Sequence, residues 1–137
     1  MAKEAISRGF SGPQKGISYS GNHAYAFSGT IVMSGGADTT MLLFDTGTEY
    51  IRASFSFGTN DLNFSGAKSI GYKISFNDQL VFAQQSFSDS DGTLIYDGAA
   101  VVQDIIIPAH TLVKIESTTN DVDDIDCYAT LTGRTYS

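Results

Sequence analysis

The stretch Asp104–Glu116 constrains the fold of this chain more than any other. It contains two short apolar runs, 105–107 and 112–115, separated by Pro108. Proline fixes φ and lacks a backbone donor, so it belongs at the end or edge of a strand. The stretch therefore predicts two strands joined by a turn, and the remaining strands must pack on this pair.

Alternation of apolar and polar side chains at period two recurs along the rest of the chain and predicts further strands. The clearest segments are 49–57, 68–76 and 125–133. Thr39–Phe44 is a short, almost fully apolar run that predicts a core strand. Asn77 and Asp78 tolerate positive φ and predict a tight hairpin between 68–76 and the run that resumes at Gln79.

The apolar side of these strands predicts the core. The expected core residues are Ile51, Phe55, Ile74, Ile115 and Leu131. Cys127, the single cysteine, alternates with polar neighbours and is expected to be a small core residue. Replacing a fully buried phenylalanine such as Phe55 with alanine should cost about 3–5 kcal/mol.

Two segments are harder to interpret. Tyr19–Met33 is expected to form one half-buried strand, with Tyr25, Phe27, Ile31 and Met33 on the same side. Gly98–Gln103 is compatible with either a short helix or an irregular crossing, and the pattern does not decide between them.

About eight short strands separated by turn residues, without a long helical pattern, are typical of an antiparallel β-sandwich. Within this all-β class we favour an eight-stranded jelly roll. A chain of 137 residues has the size of one domain. We therefore expect residues 16–137 to form a single sandwich domain, preceded by a short N-terminal arm at 1–15.

Charge and composition argue against several classes of protein. The net charge of −7 opposes nucleic-acid binding, which depends on basic side chains. A single cysteine supplies neither a disulfide framework nor a zinc site. The sequence shows no signal peptide and no apolar run near the ~20 residues of a membrane span. We expect synthesis in a host cytoplasm, no membrane partner and no cofactor.

No constellation of reactive residues predicts catalysis, so we expect a non-enzymatic protein. The two histidines, His23 and His110, lie outside any nucleophile motif and are expected at strand ends. Asp89–Gly92 begins like a calcium loop, but Ala100 occupies the position of its closing glutamate. This loop and the acidic cluster 121–126 are therefore interpreted as solvated loops without a metal.

Sugar binding by a sandwich usually depends on exposed aromatic platforms, and this chain has no tryptophan. Its tyrosines could supply such platforms, but packing of the ring with a hydrated hydroxyl explains them better. The tyrosines considered are Tyr19, Tyr50, Tyr96, Tyr128 and Tyr136.

The predicted partner-binding residues lie in the arm and in one loop. The arm carries three basic side chains against one acidic, a net of +2, whereas the rest of the chain carries −9. Its aromatic residue is an apolar anchor that could order on a partner. The loop 58–68 holds two large apolar side chains that a second subunit could cover. The residues in question are Lys3, Arg8, Phe10 and Lys15 in the arm, and Leu62 and Phe64 in the loop.

Three stretches, Leu42–Gly47, Ile107–Ile115 and Ala129–Arg134, occur in an order that resembles the small jelly-roll virion proteins of tailed bacteriophages, especially marine phages. The resemblance implies a capsid decoration or cement protein located in the virion, often a homotrimer. Its partner would be the major capsid protein or another virion protein. No catalytic residues come with this resemblance.

A binding module is the competing interpretation, either a tail-associated receptor binder or a carbohydrate-binding sandwich. An exposed groove with clustered tyrosines and acceptor side chains would favour it. A small cupin-like enzyme would need a cluster of histidines that two distant histidines do not supply.

Overall fold

Alternating side chains place the chain in two antiparallel sheets, as a computed structural model shows for residues 16–33, 38–59, 69–88, 94–96, 101–119 and 125–137. The described strands are β1 (Ser18–Ser20), β2 (His23–Phe27), β3 (Ile31–Met33), β4 (Thr39–Asp45), β5 (Tyr50–Thr59), β6 (Ser69–Phe76), β7 (Gln79–Ser88), β8 (Leu94–Tyr96), β9 (Val101–Ile107), β10 (Leu112–Thr119) and β11 (Ile125–Tyr136). No helix able to span a membrane is found among these residues.

Counted over the described residues, one sheet has six strands and the other has five. The six-stranded sheet has the order β1-β2-β11-β5-β9, and β3 pairs with the beginning of β11. The five-stranded sheet has the order β4-β10-β6-β7-β8. The prediction of an all-β antiparallel sandwich is confirmed.

The pairing order is nested. The first long segment, β2 with β3, pairs with the last strand, β11; β4 pairs with β10, β5 with β9, and β6 with β7. A ribbon folded in half and then rolled into two sheets has this order, which is compatible with the predicted jelly roll. The strand count differs from the predicted eight because β1 and β8 extend the sheets and a break separates β2 from β3.

The core lies between the two sheets, and its predicted members are confirmed. Ile51, Phe55, Ile74, Ile115 and Leu131 are all buried. Phe57 on β5 stacks on Tyr72 of β6 at 5.3 Å between ring centroids and on Phe82 of β7 at 6.1 Å. These aromatic contacts join the two sheets across the core.

The prediction for the first strand is wrong about which of its side chains are buried. Tyr25 and Phe27 point to solvent, and Ala24 and Ala26 are buried instead. Gly29 has a φ of +67° and interrupts the strand, so the alternation reverses before Ile31 and Met33, which are both buried. One residue of slip is enough to exchange the two faces of a strand.

The two apolar runs on either side of Pro108 belong to different sheets. Ile105–Ile107 lies on β9, which pairs with β5, whereas β10 pairs with β4 and β6. The predicted turn at Pro108 is therefore the crossing from one sheet to the other. The open question at 98–103 is answered for its described part, since β9 begins at Val101 as a strand.

Thr46 holds this crossing against the β4–β5 turn. Its buried hydroxyl donates to the Pro108 carbonyl at 2.7 Å and accepts from the Thr111 amide at 3.0 Å. The Thr46 amide donates to the Thr111 carbonyl at 3.1 Å, and the His110 amide donates to the Gly47 carbonyl at 2.6 Å. Two of the stretches that carry the family resemblance, 42–47 and 107–115, thus meet in one hydrogen-bonded clasp.

Replacing Thr46 with valine should lower the free energy of unfolding by about 1–3 kcal/mol, because the buried Thr111 amide loses its side-chain acceptor. Urea unfolding, followed by tyrosine fluorescence or circular dichroism, measures this change in free energy. Thr46→Ser keeps the hydroxyl and is the matched control. Destabilisation by serine but not by valine would show that the methyl group, rather than the hydrogen bonds, holds the clasp.

Candidate partner-binding face

The partner-binding residues predicted from sequence lie outside the described residues. This holds for Lys3, Arg8, Phe10 and Lys15 of the arm and for Leu62 and Phe64 of the loop. Their role as partner contacts stays a prediction.

The two histidines lie where the sequence predicts them. His23 begins β2, and His110 lies in the turn before β10 with a φ of +55°. The Asp89–Gly92 loop lies outside the described residues, as does most of the acidic cluster 121–126. Within the described part of the chain, no group of three or more histidine, cysteine or acidic residues is placed to hold a metal ion.

Cys127 is a core residue, as predicted. Its Sγ lies 3.2 Å from the Ser117 hydroxyl and 3.5 Å from the Met41 sulfur. Burial raises the pKa of the thiol, while the Ser117 contact opposes this and the nearby Asp126 carboxylate adds to it. The nucleophilic thiolate is therefore disfavoured at neutral pH.

The outer faces of the two sheets differ in chemistry. On the five-stranded sheet, Lys73 pairs with Asp38 at 3.3 Å, and Lys114 lies 3.8 Å from both Asp78 and Glu116. We call these residues the ion-paired face. A charged, paired surface of this kind is well solvated and contributes little to stability.

The outer side of the six-stranded sheet is apolar instead. Among the described residues, every exposed large apolar side chain except Leu80 and Val81 lies on this sheet. The set comprises Tyr25, Phe27, Val32, Tyr50, Ile106 and Tyr136, which we call the aromatic face. Phe27 is 50% exposed and Ile106 is 58% exposed, so these side chains are not marginal members of the core.

Aromatic rings lie at two positions on this face. Tyr50 of β5 and Tyr136 of β11 are directly opposite and stack with ring centroids 5.3 Å apart and an interplanar angle of 17°. Tyr25 and Phe27 of β2 lie 5.5 Å apart. The sequence considerations treated Tyr50 and Tyr136 as possible separate platforms but favoured ordinary packing for both, and they missed Tyr25 and Phe27. The small Ala24 and Ala26 on the opposite parity were the available signal.

Hydroxyl side chains lie between the aromatic positions. Thr132 is opposite Tyr25 on one side and Ser54 on the other, and Thr130 is opposite Phe27 and Ser56 in the same way. The centre of the face therefore carries short polar side chains, and these lie between the Tyr25–Phe27 pair and the Tyr50–Tyr136 stack.

A row of charged side chains crosses the face next to the tyrosine stack. Arg134 of β11 is directly opposite Arg52 of β5 and also opposite His23 of β2. Arg52 Nε lies 3.3 Å from Asp104 Oδ1. The register of β5 and β9 shifts at this point, and Asp104 has a φ of +56°. Bulges of this kind redirect a side chain, and here the redirected side chain meets Arg52.

The aromatic face is large enough to seat a protein. Its four strands β2, β11, β5 and β9 are about 19 Å wide, and the length of β11 from Asp126 to Tyr136 is about 34 Å. The product is roughly 600 Å², close to the ~800 Å² that one partner contributes to a standard protein interface.

A shallow hollow lies on the other sheet, above Gly71. It has a volume of about 290 Å³ and is lined in part by Lys73, Ala83 and Thr118. This volume is at the lower limit of the ~300–1,000 Å³ typical of ligand sites. The hollow exists because Gly71 and Ala83 have little or no side chain, and the aromatic face is the stronger candidate.

Searches of protein family models, curated proteins and solved structures found no significant match to this chain.

Proposed function

We propose that this chain is a non-enzymatic virion structural protein, a decoration or cement protein that binds and stabilises the head of a tailed phage. The observation that supports this function is the contrast between the two outer faces. The ion-paired face is suited to remain in water, whereas the aromatic face gains free energy when a partner covers it. A protein seated on a larger shell requires such a pair of surfaces.

The connection of the arm to β1 supports the same attachment side. Residues 1–15 precede β1, which is the edge strand of the six-stranded sheet and pairs with β2, the strand that carries Tyr25 and Phe27. The arm therefore enters the sandwich at the border of the aromatic face. Its basic residues Lys3, Arg8 and Lys15, together with Phe10, would extend the attachment surface.

We further propose a homotrimer whose subunits cover the loop residues Leu62 and Phe64, because open sheet edges and loop-borne apolar residues favour association. The partner is the major capsid protein or another virion protein, and the protein acts in the virion after synthesis in the host cytoplasm. Neither nucleic acid nor a membrane is part of this function.

Mass spectrometry of intact virions whose genome encodes this chain tests the proposal. We expect peptides of this chain at a fixed copy number relative to the major capsid protein. Their absence from purified virions would contradict a structural role. Peptides that fractionate with tails instead of heads would move the protein to the tail.

Variants of the arm and of the aromatic face test the attachment surface. Deleting residues 1–15 should leave a folded protein that no longer binds heads. Phe10→Ala should weaken binding more than Lys3→Ala, because a buried aromatic contributes more affinity than a rim charge.

On the aromatic face, Phe27→Ser should also weaken binding to heads. Leu80→Ser, at an apolar site outside the aromatic face that is 61% exposed, is the control. If the protein that lacks residues 1–15 still binds heads at full occupancy, the attachment surface lies on the sandwich alone.

A carbohydrate-binding module, including a tail-associated receptor binder, is the second candidate function. The stacked Tyr50 and Tyr136 and the hydroxyl row of Ser54, Thr130 and Thr132 favour it, because saccharides bind through ring stacking and hydroxyl hydrogen bonds. Titration with neutral and acidic oligosaccharides, followed by nuclear magnetic resonance, distinguishes it from the first. Saturable shifts confined to these residues would support the module.

A further inference from the structure

We propose that the aromatic face binds an acidic protein surface and that Arg134 binds a carboxylate of that surface. The inference rests on the proposed function, since it names the chemistry of the partner on the same face. It begins from the charges beside the tyrosine stack, where Arg52, Arg134 and Asp104 together carry +1 in a molecule of net charge −7.

The two arginines of the face are placed where they repel each other. Arg134 and Arg52 are direct cross-strand partners on the central strands β11 and β5. Like charges in this position destabilise a sheet. An anion bound over the pair would remove that cost.

Only one of the two arginines has its counter-charge within the described residues. The bulge on β9 brings the Asp104 carboxylate to Arg52, 3.3 Å from Nε. No carboxylate of the described chain lies within ion-pair distance of Arg134. Its planar guanidinium can therefore take an incoming carboxylate with two parallel hydrogen bonds.

The surroundings of Arg134 would strengthen such a contact once a partner is seated. Tyr136 lies two positions along on the same side of β11, stacked on Tyr50, and Ile106 extends the row beyond Arg52. Covering these apolar groups excludes water, and a charged hydrogen bond becomes stronger at the lower local dielectric. An apolar surround with a polar centre is also the arrangement of energetically dominant interface residues.

The same features decide between possible occupants. A second copy of this chain related by a two-fold axis through this row would place the two Arg52–Arg134 pairs against one another, which is unfavourable. A saccharide would use the tyrosines but would leave Val32, Phe27 and Ile106 uncovered, because the face measures roughly 600 Å². An acidic protein surface matches the positive charge at the Arg134 end of the face and also covers its area.

A short capped peptide of alternating leucine and glutamate, titrated into labelled full-length protein, tests the proposal. We expect backbone amide shifts at Arg134, Tyr136 and Tyr50, and binding about tenfold weaker for Arg134→Gln, as loss of one charged hydrogen-bonded contact implies. Lys114→Gln removes the same charge from the ion-paired face and should bind like wild type. The same peptide with glutamine in place of glutamate should bind as weakly as the variant does.

Three results would overturn the inference. Recognition of a carboxylate requires the glutamate peptide to bind more tightly than the glutamine peptide. Equal binding of the two peptides would therefore reject the inference. Binding of oligogalacturonate at these amides without binding of the peptide would assign the face to a saccharide. Self-association in sedimentation velocity, with broadening at the same amides, would assign it to a second copy. Because no virion is used, failure here leaves the head-decoration proposal intact, and absence from virions leaves this result intact.

Discussion

Replacing Phe55 with alanine should lower the free energy of unfolding by about 3–5 kcal/mol, the largest stability effect that we expect from a single side-chain truncation in this protein. Phe55 is fully buried on β5, with its ring 6.3 Å from the ring of Phe57, which contacts the opposite sheet. The truncation removes apolar contacts and leaves a cavity that the strands on either side close only in part. Chemical denaturation measures the change.

Two variants control this measurement. Phe55→Leu keeps most of the volume and should cost less than the alanine variant. Phe27→Ala removes the same atoms from the outer side of the same sheet, where the ring is 50% exposed, and should cost far less. An unchanged midpoint for Phe55→Ala would show that the face of β5 is assigned wrongly.

Gly133→Ala should destabilise the protein by about 3 kcal/mol, the upper part of the range for overpacking a well-packed site. A Cβ at this position would lie 2.8 Å from the Ala53 Cβ and closer still to the Arg52 carbonyl oxygen. The obstacle is backbone, so β11 and β5 must separate locally. Thermal and urea unfolding of the variant measure the effect.

Gly71→Ala is the matched control, because a Cβ there meets the Thr118 Cγ2 at 3.0 Å, and a side-chain methyl can move aside. We expect it to be clearly milder than Gly133→Ala. Equal effects at both glycines would mean that the loss of glycine backbone freedom, rather than the close approach of β5, is being measured.

The core side chains and the proposed attachment surface lie on opposite sides of the same strands. On β5 and β11, Phe55 and Leu131 face the core, whereas Tyr50, Arg52 and Arg134 face outward. Substitutions on the aromatic face should therefore change binding with little change in unfolding free energy. This separation is what makes the binding experiments interpretable.

Period-two patterning was sufficient to predict the all-β class, the strands β5, β6 and β11, and the core, while the short apolar run 39–44 predicted β4. Ile51, Phe55, Ile74, Ile115 and Leu131 each alternate with polar neighbours, and burial of one side of a strand follows directly from that alternation. The hairpin at Asn77 and Asp78, with φ of +50° and +65°, was predictable because local turn chemistry decides it. The same reasoning failed at Tyr25 and Phe27, where Gly29 interrupts the alternation.

The candidate site depended on contacts that no local pattern contains. Tyr50 and Tyr136 are far apart in the chain and become a stack only because β5 and β11 pair in that register. The Arg52–Arg134 row has the same origin, and Asp104 reaches it through a bulge. The sequence by itself determined which residues prefer the interior, because that preference depends on local alternation. Which outer side chains lie together was decided only by the tertiary structure, because strand order and register arise from long-range pairing.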